Sequence, residues 1–275
     1  MSTSLPRILL TGFDPFGGED INPSWEAVRT LDGRRIGGHL VVARQLPTAF
    51  AGSLRALKTA LREVQPAILL GVGQAGGRHQ LSIERVAINL QDARIPDNAG
   101  AQPVDEPVVA GAPAAYFSTL PIKAMLAALQ AQGIPAEISN SAGTYVCNHL
   151  AYAMLHLAAK RRGVRAGFIH IPYLPVQAAR RHGAASMAQA EVVRGLEQSL
   201  GVDFTLEDDR FEYREVLAGL FTRWFARRKL AEVQAKLKGT QLLWSTDNTC
   251  SDLVAEDLIG TNPMMAEIDQ PGVGR

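Results

Sequence analysis

The chain has 275 residues, of which 28 are Lys or Arg and 27 are Asp or Glu, so its net charge is +1. This balance is not typical of a nucleic-acid-binding protein. Its two cysteines form neither a disulfide framework nor a zinc site, and no apolar stretch approaches the roughly 20 residues of a membrane span. We therefore expect a cytoplasmic protein that contacts neither membrane nor nucleic acid and holds no metal or cofactor.

Short apolar runs alternate with helical patterns over the first 200 residues. The runs typical of strands are residues 7–11, 39–46, 67–71, 136–139 and 166–171, and an extended stretch is expected at 82–91. The helical patterns are residues 23–31, 50–64, 116–132 and 176–200. This alternation predicts an α/β fold, a three-layer sandwich with a largely parallel, twisted central sheet between helices. Ligands of such folds bind at the carboxyl ends of strands.

Cys147 lies where a helix is predicted to begin. A strand and the turn-rich residues 140–144 precede it, and apolar residues recur with helical spacing from Leu150 to Ala158. The unpaired N–H groups at a helix start lower the pKa of a thiol toward the nucleophilic thiolate. The position therefore favours a reactive thiol over the ordinary alternative, a buried structural cysteine.

A cysteine nucleophile needs an imidazole nearby and a third group that orients the imidazole. His170 lies near the carboxyl end of a predicted strand, and Glu84 lies in an otherwise apolar stretch. Each also has a structural explanation. His170 fits a core histidine, and Glu84 fits a strand carboxylate paired with Arg85 or Arg94.

The remaining histidines form no pattern typical of metal ligands. His149 and His156 are expected to share the polar face of the helix after Cys147, exposed to solvent or to an oligomer contact.

A glycine pattern after the third predicted strand offers a different function. Gly71, Gly73 and Gly76 fit the G-x-G-x-x-G fingerprint of a nicotinamide-dependent oxidoreductase. The fingerprint needs a helix at its last glycine, but the extended pattern resumes within about ten residues and leaves no room for one. A nicotinamide-dependent oxidoreductase stays an alternative that this spacing disfavours.

Four blocks of sequence resemble the pyroglutamyl peptidase I family of cysteine peptidases. They follow the family's order and cover about residues 7–200. The blocks are residues 12–18 with 22–28, residues 73–77 through 84–89 to 92–98, residues 139–150, and residues 168–173. The resemblance implies a phosphorylase/hydrolase-like fold, a homotetramer or dimer, and an omega peptidase that removes N-terminal pyroglutamate (5-oxoproline) from peptides through a thioester acyl-enzyme.

The resemblance also implies roles for individual residues. Cys147 would be the nucleophile, His170 the base and general acid, and Glu84 the third member of the triad. An apolar slot for the neutral lactam would be lined by Phe13, Phe16, Gln74, Ile95, Tyr145 and Val146, with Asn22 nearby. Arg94 and Asp97 belong to the same motif, and Arg94 is a candidate to neutralise the oxyanion. Tyr145 stands where the family often has Phe, so its hydroxyl needs a partner if it is buried.

Residues 205–275 extend beyond the family pattern, which leaves residues 1–204 as the expected catalytic domain. We expect this tail to be partly helical and disordered at its end. One helical face is shared by Leu217, Leu220, Phe221 and Trp224. Leu230, Val233 and Leu237 fall on nearly the opposite face, which predicts a break near residues 226–229. A non-catalytic protein that binds pyroglutamyl peptides on the same scaffold stays an alternative.

Overall fold

The computed structural model describes residues 5–202, 222 and 225–238. The chain divides into two compact units, Met1–Tyr213 and Arg214–Arg275. The strands of the first unit are β1 (Arg7–Phe13), β2 (Arg35–Ile36), β3 (His39–Leu46), β4 (Ile68–Gln74), β5 (Leu81–Glu84), β6 (Val86–Ile88), β7 (Ala115–Phe117), β8 (Ala136–Ser139) and β9 (Arg165–Ile171). Its helices are α1 (Pro23–Val28), α2 (Phe50–Val64), α3 (Ile122–Ala131), α4 (Val146–Ala159), α5 (Pro175–Ala178) and α6 (Gln189–Leu200), and α7 (Leu230–Leu237) lies in the second unit.

The main sheet has the strand order β2-β3-β1-β4-β9-β5-β8. The central strands β3, β1, β4 and β9 are parallel, whereas β2 is antiparallel to β3, and β5 is antiparallel to β9. The α/β prediction is confirmed, but the sheet is mixed: β5 and the edge strand β8 are parallel to each other and run opposite to β9. Residues 75–80 explain the reversal of β5, because a parallel crossover needs a dozen or more residues and this connection is shorter.

Alternate residues of the buried strands supply two separate cores, one on each face of the sheet. On β1, Ile8 and Leu10 pack in the core beneath α1, α3 and α6, whereas Leu9 packs in the core beneath α2 and α4. On β9, Phe168 belongs to the second of these cores. The helices therefore flank the sheet on both sides, as the three-layer prediction requires.

Two predicted helices are shorter than the sequence pattern indicated. The pattern at residues 116–132 holds a strand, β7, before α3, because Pro121 immediately precedes the first helical residue and lacks an N–H for an earlier turn. The pattern at 176–200 is interrupted between α5 and α6, where Gly183 has a φ of 71°. The extended stretch at 82–91 is also divided, since β5 lies in the main sheet and β6 pairs with β7.

The exposed polar face predicted for His149 is wrong. His149 is buried, and its Nδ1 lies 2.9 Å from Gln91 Oε1, while its ring packs edge-on against Phe50. His156 is half-buried and bonds to the Tyr116 hydroxyl. The error came from treating histidine as a solvent-facing residue, although α4 is covered on several sides.

In the second unit, residues 225–226 are helical, residues 227–229 are not, and α7 follows from Leu230. The predictions for Leu217, Leu220, Phe221 and Trp224 and for the end of the tail fall outside the described residues. Among the described residues, no helix is long and apolar enough to span a membrane, and no three His, Cys, Asp or Glu side chains are grouped as metal ligands.

Candidate active site

The helix α4 begins at Val146, so Cys147 lies in its first turn, as predicted. The thiol is held directly over β4. A Cβ atom placed on Gly73 would lie 2.9 Å from Cys147 Sγ, so only glycine leaves room for the sulfur. Gly73 is also the direct partner of His170 in the β4–β9 ladder. The sheet register therefore brings the thiol and the imidazole to the same place.

His170 and Glu84 form a buried pair. His170 Nδ1 lies 2.7 Å from Glu84 Oε1, and the two residues are 3% and 2% exposed. Because β5 is antiparallel to β9, Ser82 is the direct partner of His170, and Glu84 lies two residues further on the same face. Glu84 therefore lies diagonally opposite His170 on the neighbouring antiparallel strand. The two residues do not both lie at carboxyl ends of parallel strands.

The hydrogen bond fixes the state of the imidazole. Burial alone would raise the pKa of Glu84, but the hydrogen bond and charge of His170, with Ser139 and Arg78, outweigh burial and lower this pKa below its ordinary value. An ionised carboxylate accepts only, so His170 donates from Nδ1 and leaves its Nε2 lone pair free. Burial lowers the pKa of His170 despite the nearby carboxylate, so the ring is neutral at neutral pH.

The pKa of the candidate nucleophile, Cys147, differs from the expectation drawn from its helix position. Burial, with a smaller contribution from the Glu84 carboxylate, raises the pKa of the Cys147 thiol to about 12, against the opposing effect of Arg78. Cys147 is half-buried between α4 and β4, and burial is the largest cause of the raised pKa. The resting site therefore holds a neutral thiol and a neutral imidazole.

The basic partner of Glu84 is neither of the two candidates suggested by the sequence. Arg78 Nη1 lies 2.8 Å from Glu84 Oε1. Arg85 instead donates from Nε to Asn140 Oδ1 at 2.8 Å, and Arg94 is exposed. Sequence reasoning missed Arg78, because an arginine in a glycine-rich loop carries no signal of what it faces.

Aromatic side chains gather beside the start of α4. Phe16 and Phe50 both lie against the Tyr145 ring, with centroids 6.5 and 5.5 Å away. The Tyr145 hydroxyl finds the partner it needs, since it donates to the Pro96 carbonyl oxygen at 2.9 Å. Phe13 is buried against Phe168 at 6.4 Å. Val146 is fully buried and half-buried Ile95 adjoins Pro96.

The two amides predicted to line the slot are held differently. Asn22 caps α1: its Oδ1 accepts from Ser24 N at 3.1 Å, and its Nδ2 donates to the Asp14 carbonyl oxygen at 2.9 Å. Gln74 accepts from Gln177 Nε2 at 3.1 Å, which occupies its oxygen and leaves its NH₂ group for a ligand. Asn22 therefore shapes the loop after β1, whereas Gln74 presents a donor.

Asp97 is buried and accepts three backbone N–H groups, from Phe50, Ala99 and Ala101, each at 2.8 Å. These bonds satisfy one N–H of the first turn of α2 and close the turn after Asp97. The carboxylate therefore supports the loop that carries Arg94 and Ile95, and its bonds to backbone explain its place in the motif.

A thiol at a helix start, beside a buried imidazole–carboxylate pair on an α/β sheet, is typical of the class of cysteine hydrolases. The family follows from comparison with known sequences. The model of the pyroglutamyl peptidase family matches residues 6–204, and the chain belongs to this family.

The relatives agree with this assignment. A pyrrolidone-carboxylate peptidase of Cupriavidus pinatubonensis is 57% identical over 204 residues, which are 74% of this chain and 94% of the relative. One of Escherichia fergusonii is 58% identical over 196 residues, 71% of this chain and 92% of the relative. The crystal structure of pyroglutamyl peptidase I of Bacillus amyloliquefaciens is similar with a TM-score of 0.71 at 48% identity, covering 74% of this chain and 98% of that one.

Family membership removes the oxidoreductase alternative. The glycine pattern is followed by a turn and then by β5, so the helix of a dinucleotide site is absent between β4 and β5. Gly71 and Gly73 have a different purpose, because their missing side chains make room for Phe168 and the Cys147 thiol.

Proposed function

We propose that the protein is a cysteine exopeptidase that removes pyroglutamate from the amino end of peptides, with Cys147, His170 and Glu84 as its triad. The observation that carries the proposal is the buried hydrogen bond of 2.7 Å between His170 and Glu84. His170 is the ladder partner of Gly73, and Gly73 lies against the Cys147 sulfur. This is the minimum that a thiol nucleophile needs: a base, and an acid that orients the base.

Acylation begins from the neutral pair. As Cys147 Sγ attacks the pyroglutamyl carbonyl carbon, His170 Nε2 takes the thiol proton, and Glu84 stabilises the imidazolium that forms. The carbonyl oxygen becomes an oxyanion near the first N–H groups of α4, which have no acceptor within the helix. Collapse breaks the C–N bond, His170 gives its proton to the departing amine, and a thioester remains on Cys147.

Deacylation uses the same imidazole. His170 takes a proton from water, the hydroxide attacks the thioester carbonyl, and the C–S bond breaks. The sulfur recovers the proton from His170, and free pyroglutamate leaves the site. Glu84 holds Nδ1 throughout, so Nε2 faces the reacting atoms in both steps.

Selectivity follows from the uncharged lactam. The aromatic groups of Phe13, Phe16 and Tyr145 offer an apolar wall, and the Gln74 NH₂ group is a donor for the lactam carbonyl. A charged amino terminus would lose its hydration there, which costs several kcal/mol without a compensating partner. We therefore assign peptides with N-terminal pyroglutamate as substrates and exclude ordinary amino termini.

Three further properties belong to the proposal. Residues 1–204 form the catalytic domain, and residues 205–275 are an addition to it, as the match to residues 6–204 supports. The cytoplasm is the proposed compartment, because a thiol nucleophile must stay reduced. A homotetramer or dimer is the proposed assembly, and light scattering after gel filtration would measure it.

The test is release of the arylamine from a pyroglutamyl arylamide under reducing conditions, with a prolyl arylamide as the selectivity control. We expect turnover of the first compound only, and loss of turnover in Cys147→Ser. Proline lacks the lactam carbonyl and carries a charged ring nitrogen. The two arylamides therefore differ only in the group that the pocket is proposed to recognise.

A folded parent protein that gives no turnover would overturn the peptidase proposal. Binding of a pyroglutamyl peptide by that inactive protein, measured by calorimetry, would then identify the non-catalytic binding protein instead.

A further inference from the structure

Arg78 contacts two parts of the site that are distant in sequence. Its Nη1 lies 2.8 Å from Glu84 Oε1, and its Nη2 donates to the Ser141 carbonyl oxygen at 3.1 Å. Glu84 lies at the end of β5, whereas Ser141 lies in the loop that leads from β8 into α4. One guanidinium therefore joins the triad acid to the segment that carries the nucleophile.

One oxygen of the Glu84 carboxylate accepts hydrogen bonds from two side chains. Glu84 Oε1 accepts from Arg78 on one side and from His170 Nδ1, at 2.7 Å, on the other, while Glu84 Oε2 is buried without a hydrogen-bond partner. A small rotation of the Glu84 carboxylate would move Oε1 away from both donors. The direction of the His170 ring is thus coupled to the position of Arg78.

Exposure distinguishes this pair from a surface ion pair. The Glu84 side chain is 2% exposed, and that of Arg78 is 24% exposed. Ion pairs between two exposed side chains contribute little, because water screens them. Here the loss of Arg78 would leave the buried Glu84 carboxylate with one fewer charged donor. The ionised carboxylate, and with it the geometry of the site, would therefore be destabilised.

We propose that Arg78 is a positioning residue of the peptidase, which braces Glu84 against the loop before α4 and so holds the His170 imidazole in line with the Cys147 thiol. The proposal rests on the proposed triad. Arg78 does not touch the reacting atoms and acts only through Glu84 and the loop.

The charges around His170 give the proposal a signature that a merely structural role would not show. The charged groups that affect His170 are Glu84 and Arg78, of which Glu84 raises the pKa of the imidazole and Arg78 lowers it. Removing the guanidinium charge would therefore raise the pKa of His170. Since the base must be neutral, the acid limb of the activity profile would move to higher pH.

The experiment compares Arg78→Met, Arg78→Lys and Arg85→Met in the full chain. Arg85 is the matched control, because it follows Glu84 directly, ties the same loop through Asn140 and does not contact the Glu84 carboxylate. The measurements are kcat and KM for a pyroglutamyl arylamide across the pH range, with thermal unfolding of each variant.

For Arg78→Met we expect a kcat lower by about 10- to 100-fold from misalignment of the base, with KM little changed and the acid limb at higher pH. Arg78→Lys restores the charge but cannot donate in two fixed directions, so it should recover the position of the acid limb and only part of kcat. Arg85→Met should match the parent in both.

Parent-like kcat and acid limb in Arg78→Met would overturn the inference, and so would equal losses in Arg78→Met and Arg85→Met. If Arg78→Met does not fold, Arg78→Lys still decides, because full recovery of kcat would show that the two-directional brace is unnecessary. Absence of turnover in the folded parent is a separate result, which overturns the proposed function rather than the role of Arg78.

Discussion

At the level of single residues, Cys147 is subject to two opposing effects. The start of α4 favours the thiolate, whereas burial over β4 disfavours it. The pKa of the thiol is raised to about 12, chiefly by burial. We therefore expect no thiolate at neutral pH in the free protein. The measurement is the ultraviolet thiolate band of the parent minus that of Cys147→Ser, which also subtracts the second cysteine.

In this difference spectrum the band should appear only at strongly alkaline pH, and alkylation by iodoacetamide should accelerate over the same range. A full thiolate band at pH 7 would contradict the prediction. It would mean that Cys147 and His170 rest as an ion pair, and that proton transfer precedes substrate binding.

His149 makes the stability of the protein depend on pH. Burial lowers its pKa from 6.5 to about 4, and no hydrogen-bond partner is found for its Nε2. A lowered folded pKa means stability that is complete above the unfolded pKa and lost as pH falls toward the folded pKa. The unfolded chain binds the proton first, so stability contributed by neutral His149 falls between pH 6.5 and 4.

The variant His149→Leu removes this titration and keeps an apolar side chain against Phe50. From pH 7 to pH 5, its free energy of unfolding should fall by about 2 kcal/mol less than that of the parent. Urea unfolding at both pH values measures the difference. Equal falls in the two proteins would show that folding does not shift the pKa of His149.

At the level of elements, strand β4 shows why two glycines are needed under α4. A Cβ on Gly71 would lie 2.5 Å from Phe168 Cδ2 and 3.1 Å from Met154 Sδ, while one on Gly73 would lie 2.8 Å from Phe168 Cζ and 2.9 Å from Cys147 Sγ. Both substitutions by Ala overpack the same face and should destabilise the fold by about 1–3 kcal/mol. Only the Gly73→Ala methyl group would contact the Cys147 sulfur.

Gly73→Ala should therefore lower kcat by about tenfold or more through displacement of the sulfur, whereas folded Gly71→Ala should stay near the parent value. Kinetics with the pyroglutamyl arylamide, together with thermal unfolding, separate the two effects. Parent-like kcat in Gly73→Ala would mean that the strand and helix move apart without disturbing the thiol.

Periodicity in the sequence correctly located the strands and helices that bury one regular face. The apolar runs of β1, β3, β4 and β9 and the one-sided pattern of α2 lie where they were predicted, because each buries a regular face. The error at residues 116–132 arose where tertiary pairing with β6 made a strand of helix-compatible residues. Pattern alone cannot foresee a partner strand.

At the level of the whole molecule, the proposed site combines residues from β5, α4 and β9. The four motif blocks indicated Glu84, Cys147 and His170 from sequence, because a family resemblance identifies residues without needing their geometry. Geometry was required for the rest. The reversal of β5 sets the diagonal approach of Glu84, and Arg78 could not be paired with it until the loop after β4 had a position.

The last prediction concerns the second unit, residues 214–275, which we expect to be unnecessary for peptidase activity. The family match ends at residue 204, the relative from Cupriavidus pinatubonensis is 94% covered by the matched part of this chain, and the first compact unit ends at Tyr213. A chain of residues 1–213 should therefore fold and keep the kcat and KM of the full chain for a pyroglutamyl arylamide, because a domain with its own core folds independently. Thermal unfolding of both chains controls for stability. Lower activity in a folded shortened chain would assign residues 214–275 a part in completing the site, and higher activity would identify them as an inhibitory element.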